Sequence, residues 1–370
     1  MAEPIRAGDL SGEEAGSARN RAWLRKVVSL LLITAIIVAA WRFDVGILEA
    51  LERMRKANVW MMAAMIGVFI AARWFGGEIL RQALLVLGHH IERSEAFYIT
   101  IVRTYAGLVI PKAGYGAAGV YLKVKHGVNF AKSGSLLLPI LLLQCIVIGP
   151  LGLASLLLVS HQYGVGVNWW WASAFLATSF FGLSVILVRA SLPSTWTGRF
   201  AHFARRFGKA WRQISGDRGL IFRLVCLHIL LIFLRAVRLK FAFSAVVLDI
   251  PFLPVLVASL LADIAFIISP TPNGLGTREA MIWAYFRTMP LGPSVEQNIV
   301  LAGVFLDRVV TTLVVVIFAQ IGLVRVSNAI GKQPATSDDE TLPSTTQPAS
   351  QGLLEPDSHL SDSDDTPVVN

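Results

Sequence analysis

The sequence predicts an all-α polytopic membrane protein with about six transmembrane helices and two re-entrant helical hairpins. Of its 370 residues, 55% are hydrophobic and only 15% are charged, whereas about a quarter of the residues in a soluble domain are charged. Apolar runs near the roughly 20 residues that a helix needs to cross a bilayer recur along the chain. Two further apolar runs are interrupted by clusters of proline and glycine.

Six continuous apolar stretches are predicted to cross the membrane as helices. They are residues 27–43, 59–75, 135–160, 169–188, 220–247 and 299–326. The first stretch follows a polar N-terminal segment, 1–26, which carries five basic residues. A signal peptide is the alternative interpretation of this region. The long charged leader and the second apolar stretch close behind it favour an uncleaved first helix.

Two other apolar stretches, 96–110 and 252–269, are predicted to form re-entrant hairpins. Each runs into a break, PKAGYGAAG at 111–119 and PTPNGLG at 270–276. Proline removes a helix donor, glycine favours turns, and the freed backbone groups must be buried in protein or line a polar cavity. Each stretch therefore enters the membrane, turns and leaves on the same side, which is compatible with an inverted repeat. The breaks contain Pro111, Gly114, Pro270, Pro272, Gly274 and Gly276.

Basic residues determine the predicted orientation. The connection 189–223 carries eight Lys and Arg residues, whereas 161–168 and 248–254 carry none. The positive-inside rule places 189–223 and both termini in the cytoplasm, so the first hairpin enters from the cytoplasm and the second from outside. The connection 42–56 disagrees, since it would lie outside yet carries four basic residues. An interfacial helix is the interpretation offered for it.

The membrane domain, 27–330, is predicted to contain a basic amphipathic loop at 189–219 and to precede a disordered acidic tail, 331–370. In the loop, aromatic and apolar residues recur at helical spacing among cations, which is typical of a helix on anionic lipid. A plain connector is the alternative. The tail holds eight acids and one base and has little to bury. The rest of the chain, without this tail, has a surplus of basic residues. In so apolar a chain, this surplus favours anionic lipid headgroups, and not nucleic acid, as partners.

Charged residues inside the apolar stretches indicate a candidate site, because an ionisable group in a bilayer is costly and usually faces a cavity or a pathway. They are Arg103, Arg235, Arg238, Lys240, Asp263, Arg278, Glu279, Asp307 and Arg308. Transporters build substrate sites at broken helices, and a basic surplus there suits an anionic headgroup. The alternative is that buried ion pairs fix helix packing. Those pairs would be Glu279 with Arg308 and Asp263 with Arg235.

No cofactor or metal is predicted. The segment GLGTRE at 274–279 lacks the third glycine of a dinucleotide-binding loop. The seven histidines show no HExxH spacing, and the two cysteines lie singly in apolar runs. An intramembrane enzyme would require Asp263, Glu279 and Asp307 to converge on one reactive point.

The segment IISPTPNGLGTREA at 267–280, followed by a last span that contains Arg308, resembles the lysylphosphatidylglycerol synthase transmembrane family, also called flippase-like. Members of that family show a proline pair, Gly-Leu-Gly and a glutamate in this arrangement. The segment VIPKAGYGAAGVYLKVKHG at 109–127 lies where the family carries its other proline-glycine motif. The Gly-Glu pair of that motif is missing here, and Lys123 or Lys125 takes the place of its arginine.

The resemblance, which covers 27–328 in span order, implies a multi-pass protein of the bacterial cytoplasmic (inner) membrane that moves a lipid or lipid-linked saccharide. It implies that Arg278, Glu279 and the second break form the functional centre. The expected partners are membrane lipids with anionic headgroups and a separate lipid- or glycan-modifying enzyme. The alternative is a non-transporting scaffold that recruits such an enzyme through the acidic tail.

Overall fold

The structure, a computed structural model, describes residues 52–331 except 87, 110–112, 129, 189–210, 213 and 290–296. Within this part of the chain the secondary structure is helical and includes no β-strand, which confirms the predicted all-α class. We number the long helices α1 (Val59–Val86), α2 (Arg93–Val109), α3 (Ala113–His126), α4 (Phe130–Tyr163), α5 (Trp169–Val188), α6 (Arg218–Ala245), α7 (Phe252–Ile268), α8 (Thr277–Thr288) and α9 (Gln297–Gly331).

Four of these helices are long and apolar enough to cross a membrane. They are α1, α6, the segment Leu138–Tyr163 of α4 and the segment Asn298–Gly322 of α9. They coincide with four of the six predicted spans, and α5 coincides with a fifth. The chain is therefore a multi-pass membrane protein. The predicted span 27–43, most of the basic loop at 189–219 and the tail after 331 lie outside the described residues.

Helix α1 extends to Val86, well beyond the predicted end of its span at residue 75. The apolar run is interrupted there by glycines and Glu78. In the structure Gly77 lies against α2, where a Cβ atom would meet the Ala96 backbone at 2.9 Å. The glycine lets the two helices approach closely, so tertiary packing continues the helix where composition suggested an end.

Helices α1 and α6 run antiparallel and define the two ends of the bundle. The Asn58 backbone N–H, just before α1, donates to the Ala245 carbonyl at the end of α6 at 2.9 Å. At the opposite end, Leu84 of α1 belongs to the same buried apolar cluster as Leu220 of α6. We call the Asn58–Ala245 end of the bundle end A and the Leu84–Leu220 end of the bundle end B.

The first hairpin consists of α2 and α3, which pack against each other, and its base lies at end B. Ile91, just before α2, and Val128, just after α3, belong to the apolar cluster of that end. The Glu95 carboxylate closes the base. It accepts a hydrogen bond from the Tyr121 hydroxyl at 2.8 Å and lies 2.6 Å from His126 Nε2.

The second hairpin consists of α7 and α8, and its base lies at end A. Ile250, just before α7, belongs to the same buried cluster as Ala245. Thr288, the last residue of α8, accepts a hydrogen bond from Trp171 Nε1 at 2.9 Å. The two hairpins therefore enter the bundle from opposite ends, as the sequence predicts. Which end faces the cytoplasm stays a prediction.

Two polar connections are described only in part. Residues 52–55, at the end of the connection 42–56, are helical, and Met54 packs against the buried cluster that includes Ala245 and Ile250. Ile214, from the predicted amphipathic loop, is 2% exposed and belongs to the cluster at end B. At Ile214, at least, the loop packs into the protein and does not face lipid.

Candidate functional site

A cavity of about 110 Å³ lies inside the bundle where the two hairpins meet. The first hairpin contributes α2 and Gly114 of α3 to the cavity wall, and the second contributes α7, α8 and the break between them. Helices α1, α6 and α9 form the other sides. The two proline-glycine segments, far apart in the sequence, are therefore parts of one enclosure.

The break between α7 and α8 departs from helical geometry. Asn273, Gly274 and Gly276 have positive φ angles of 47°, 71° and 79°, which glycine and asparagine adopt most readily. A buried hydroxyl satisfies part of the freed backbone, because Thr271 Oγ1 donates to the Leu275 carbonyl at 2.8 Å. This turn presents polar groups to the cavity wall.

Glu279 caps the start of α8. Its Oε2 accepts a hydrogen bond from the Gly276 backbone N–H at 2.7 Å. A carboxylate here satisfies a free donor and interacts favourably with the helix dipole. The other carboxylate oxygen, Oε1, lies 3.6 Å from Arg308 Nε, which is too long for a hydrogen bond. Glu279 therefore anchors its own helix firmly and holds α9 only through a loose ion pair.

Three ion pairs connect helices around the cavity. They are Arg235–Asp263 at 2.7 Å, Arg238–Asp307 at 2.7 Å and Arg308–Glu279 at 3.6 Å, measured between the nearest nitrogen and oxygen atoms. The first and third pairs are those that the sequence offered as a packing alternative, and both form. A different arginine pairs with each carboxyl group, so these contacts do not support the three-carboxylate enzyme hypothesis.

The cavity has a surplus of positive charge. Six arginines line it: Arg73 of α1, Arg103 of α2, Arg235 and Arg238 of α6, Arg278 of α8 and Arg308 of α9. The carboxylates of the three ion pairs compensate Arg235, Arg238 and Arg308, and the charges of Arg73 and Arg278 form a positive surplus among the described residues. A cluster of this sign inside a membrane protein is costly unless an anion or water approaches it.

Two of these arginines have no carboxylate partner among the described residues. Arg73 donates from Nη1 to the Thr104 hydroxyl at 2.9 Å, and the charged groups that act on it most strongly are other arginines. The Arg278 Nε atom is buried and makes no hydrogen bond within the described part of the chain. Burial of such a donor without a partner is costly, so these are the groups that an anionic ligand would satisfy most.

The structure separates the predicted site residues into groups. Gly114, Asp263, Gly274, Arg278 and Arg308 line the cavity. Gly276, Glu279 and Asp307 contact the break or a lining arginine, and Pro272 is half-buried in the turn. Lys123 and Pro270 are exposed and line no part of the cavity. Pro111 lies outside the described residues.

Sequence reasoning missed Arg73 and the threonines that line the cavity. Arg73 stands inside the predicted span 59–75, so the criterion used for the other embedded charges would also identify it. The threonines are Thr104, Thr271, Thr311 and Thr312. Threonine gives no comparable signal, because its hydroxyl can bond back to its own helix, as Thr104 does to the Thr100 carbonyl at 2.8 Å.

The comparison with protein families agrees with this architecture. A family model described as the Lysylphosphatidylglycerol synthase TM region matches residues 25–319. The chain belongs to this family. The match confirms the resemblance noted at 267–280, and it includes both hairpins and all six arginines of this lysylphosphatidylglycerol synthase TM-region protein. A search of curated proteins finds no match.

Proposed function

We propose that this protein is a translocase for a lipid or lipid-linked saccharide with an anionic headgroup. In this proposal it lies in the cytoplasmic (inner) membrane of a bacterium with both termini in the cytoplasm. The observation that carries the proposal is the positive surplus of the cavity between the two hairpins. Membership of a family of membrane domains linked by name to an aminoacylated lipid supports it.

The chemistry of the lining supports a phosphate-containing headgroup. Arginine presents a planar fork of donors that matches phosphate oxygens, and such charge-assisted bonds are among the strongest that a protein makes. Arg73 and Arg278 are the two cavity arginines that lack a carboxylate partner among the described residues. In the proposed complex they donate to the phosphate, while the neighbouring ion pairs keep the wall in place.

The size of the cavity limits what enters it. A volume of about 110 Å³ exceeds the roughly 10–15 Å³ that one water needs, yet it is below the roughly 300–1,000 Å³ of ordinary ligand pockets. The cavity therefore suits a phosphate group with part of its headgroup. The acyl chains remain in the surrounding lipid, so only the polar part crosses through protein.

The hairpins provide a mechanism for exposing the site to each side in turn. They enter from opposite ends and meet at the arginines, an arrangement that transporters with broken helices use for alternating access. Arg308 is suited to a moving part, because it holds the second break through the Asn273 carbonyl at 3.1 Å and only loosely through Glu279. If Arg308 bound the phosphate in place of Asn273 and Glu279, the second hairpin would be released from α9.

The test is lipid transport by the purified protein in sealed vesicles that contain a fluorescent phosphatidylglycerol. Glu279→Gln and Arg308→Ala should each slow transbilayer movement by about tenfold or more, which corresponds to about 1.4 kcal/mol. Arg287→Gln is the matched control, because Arg287 lies on α8 but is exposed and stacks on Trp283 at 5.1 Å. Unchanged transport in both site variants would contradict the site assignment.

Removal of the tail addresses the scaffold alternative. A chain without 331–370 should transport lipid as fast as the full chain if the membrane domain is the translocase. A scaffold would lose its enzyme partner on the same deletion and would show no transport in either form.

A further inference from the structure

A second and larger pocket, about 540 Å³ in volume, lies beside the first hairpin towards end B. We call it the side groove. Its wall includes Glu95, Tyr98 and Val102 of α2, Ala117 and Tyr121 of α3, and Gly322 of α9. Its volume falls within the roughly 300–1,000 Å³ typical of ligand sites, whereas the arginine cavity is far smaller.

The side groove and the arginine cavity are separate pockets that share three lining helices. Three helices line both: α2 contributes Val102 to the groove and Arg103 to the cavity, and α3 contributes Ala117 and Gly114 in the same way. On α9, Val315 of the cavity and Gly322 of the groove are separated by two helical turns, or about 10 Å. Along α9 the groove therefore lies between end B and the arginine cavity.

The wall of the groove changes from polar to apolar along this direction. At the base of the hairpin, the Lys125 ammonium lies 3.0 Å from Glu95 Oε2 and its side chain is 40% exposed. Further in, the wall consists of Tyr98, Val102 and Ala117. A polar end at end B and an apolar wall next to it complement an amphiphile whose headgroup lies at end B and whose chain lies against the apolar wall.

Among the described residues, the mouth of the groove has no surplus of positive charge, unlike the cavity. Glu92 and Glu95 line it together with His90 and Lys125. The mouth therefore discriminates little between zwitterionic and anionic headgroups, and the arginines beyond it favour anions.

We propose that the side groove binds a glycerophospholipid from the leaflet at end B and is the route by which its headgroup reaches the arginine cavity. The route rests on the proposed translocase function. The binding of lipid in the groove does not depend on that function. One experiment with two arms can therefore test the route and the binding site separately.

The first arm of the experiment blocks the groove. Ala117 is half-buried and lines the groove, whereas Gly116, the preceding residue on α3, is exposed and has no atom within 4 Å of the position of a Cβ. Ala117→Trp should slow movement of fluorescent phosphatidylglycerol in vesicles by about tenfold. Gly116→Trp adds the same side chain outside the groove and should leave transport unchanged.

The second arm measures binding without transport and covers the case in which Ala117→Trp folds poorly. Benzoylphenylalanine is placed at residue 117 or at residue 116, and the detergent-solubilised protein is illuminated with increasing fluorescent phosphatidylglycerol. Capture at 117 should saturate at one lipid per chain, and capture at 116 should not saturate. An equal amount of zwitterionic phosphatidylcholine should compete at 117 about as well as unlabelled phosphatidylglycerol.

The outcomes distinguish the two proposals. Saturable capture at 117 without transport by the parent protein supports lipid binding in the groove and rejects the translocase. Transport that Ala117→Trp leaves unchanged overturns the route, and unsaturable capture at 117 overturns the binding site. Cross-linking of residue 117 to the chain's own segment 27–43, identified by mass spectrometry, overturns it as well, because that segment would then occupy the groove.

Discussion

Arg238 on α6 and Asp307 on α9 form a two-point ion pair inside the bundle. Arg238 Nε lies 2.7 Å from Asp307 Oδ1, and Arg238 Nη2 donates to Oδ2 at 3.0 Å. The two side chains are only 8% and 10% exposed. The guanidinium also lies 5.7 Å from the centre of the Phe69 ring on α1. The pair therefore connects three of the helices that surround the cavity.

Loss of one member of this pair should destabilise the protein strongly. Asp307→Asn leaves the Arg238 charge buried without its carboxylate, and the free energy of unfolding should fall by about 3 kcal/mol or more. Chemical denaturation of the purified protein in detergent measures this change. Glu52→Gln is the control, because the Glu52–Lys56 pair at 3.0 Å is exposed and should contribute little. Similar losses in the two variants would show that burial of the Arg238–Asp307 pair does not determine its contribution.

Arg73 should be necessary for transport because of its position and not because of its charge alone. Arg73→Gln removes a cavity donor and should reduce transport of anionic lipid by about tenfold, a loss of about 1.4 kcal/mol. Arg73→Lys should recover only part of the rate, since lysine cannot reproduce the planar fork. The vesicle assay measures both variants. Arg81→Gln is the control on the same helix, because Arg81 pairs with Glu78 at 2.6 Å and does not line the cavity. Equal effects at the two positions would contradict a specific role for Arg73.

Two neighbouring glycines of α3 should respond in opposite ways to alanine. A Cβ at Gly114 would overlap the Arg103 carbonyl oxygen, so Gly114→Ala should push α3 away from α2 and cost about 1–3 kcal/mol. A Cβ at Gly116 meets no atom within 4 Å, and Gly116→Ala should stabilise the helix by about 0.5–1 kcal/mol. Thermal unfolding in detergent compares them. Stabilisation by both changes would mean that α2 and α3 pack less closely than the structure shows.

The base of the first hairpin should lose stability in acid. Burial alone would raise the pKa of Glu95, but hydrogen bonds from His126, Lys125 and Tyr121 outweigh it and lower the pKa below the ordinary carboxyl value. The folded state therefore releases this proton more readily than the unfolded state does. The stabilisation is complete above the ordinary pKa of about 4.3 and is lost as the pH falls through the lower folded pKa.

Comparison of unfolding at neutral and acidic pH checks this prediction. The stability of the parent protein should decline with acidification, and Glu95→Gln should remove the part of that decline that the carboxyl causes. Glu92→Gln is the control, because Glu92 is exposed in the structure. If the stability of the Glu95→Gln variant falls with acidification as steeply as that of the parent protein, the hydrogen bonds to Glu95 do not stabilise the base of the hairpin.

Composition and local pattern were sufficient to predict the main elements of the fold. The span predicted at 169–188 has the bounds of α5, and those predicted at 135–160 and 220–247 lie within a few residues of α4 and α6. Such predictions succeed because a bilayer requires about 20 apolar residues per helix, whatever the neighbouring helices are. The turn between α7 and α8 was predictable for a similarly local reason, since PTPNGLG cannot continue a helix.

The candidate site was predictable only in part. Asp263, Arg278 and Arg308 were recognised because a charge in an apolar run is anomalous wherever the chain places it. Lys123 was included because it stands where the family's first motif carries an arginine, yet it is exposed on α3 and does not line the cavity. A position in a sequence motif does not specify which face of a helix a side chain occupies, and that face decides whether the side chain reaches the cavity.

The sequence by itself determined that this protein is helical, crosses a membrane several times, contains two broken apolar segments and carries embedded charge. These properties follow from hydropathy and backbone chemistry, which act residue by residue. Only the tertiary structure decided that the two hairpins meet at one cavity and that Arg73 and Arg278 lie there without a carboxylate partner among the described residues. Those relationships join helices that are distant in sequence, and they depend on packing at glycines such as Gly77 and Gly114, which no local pattern reveals.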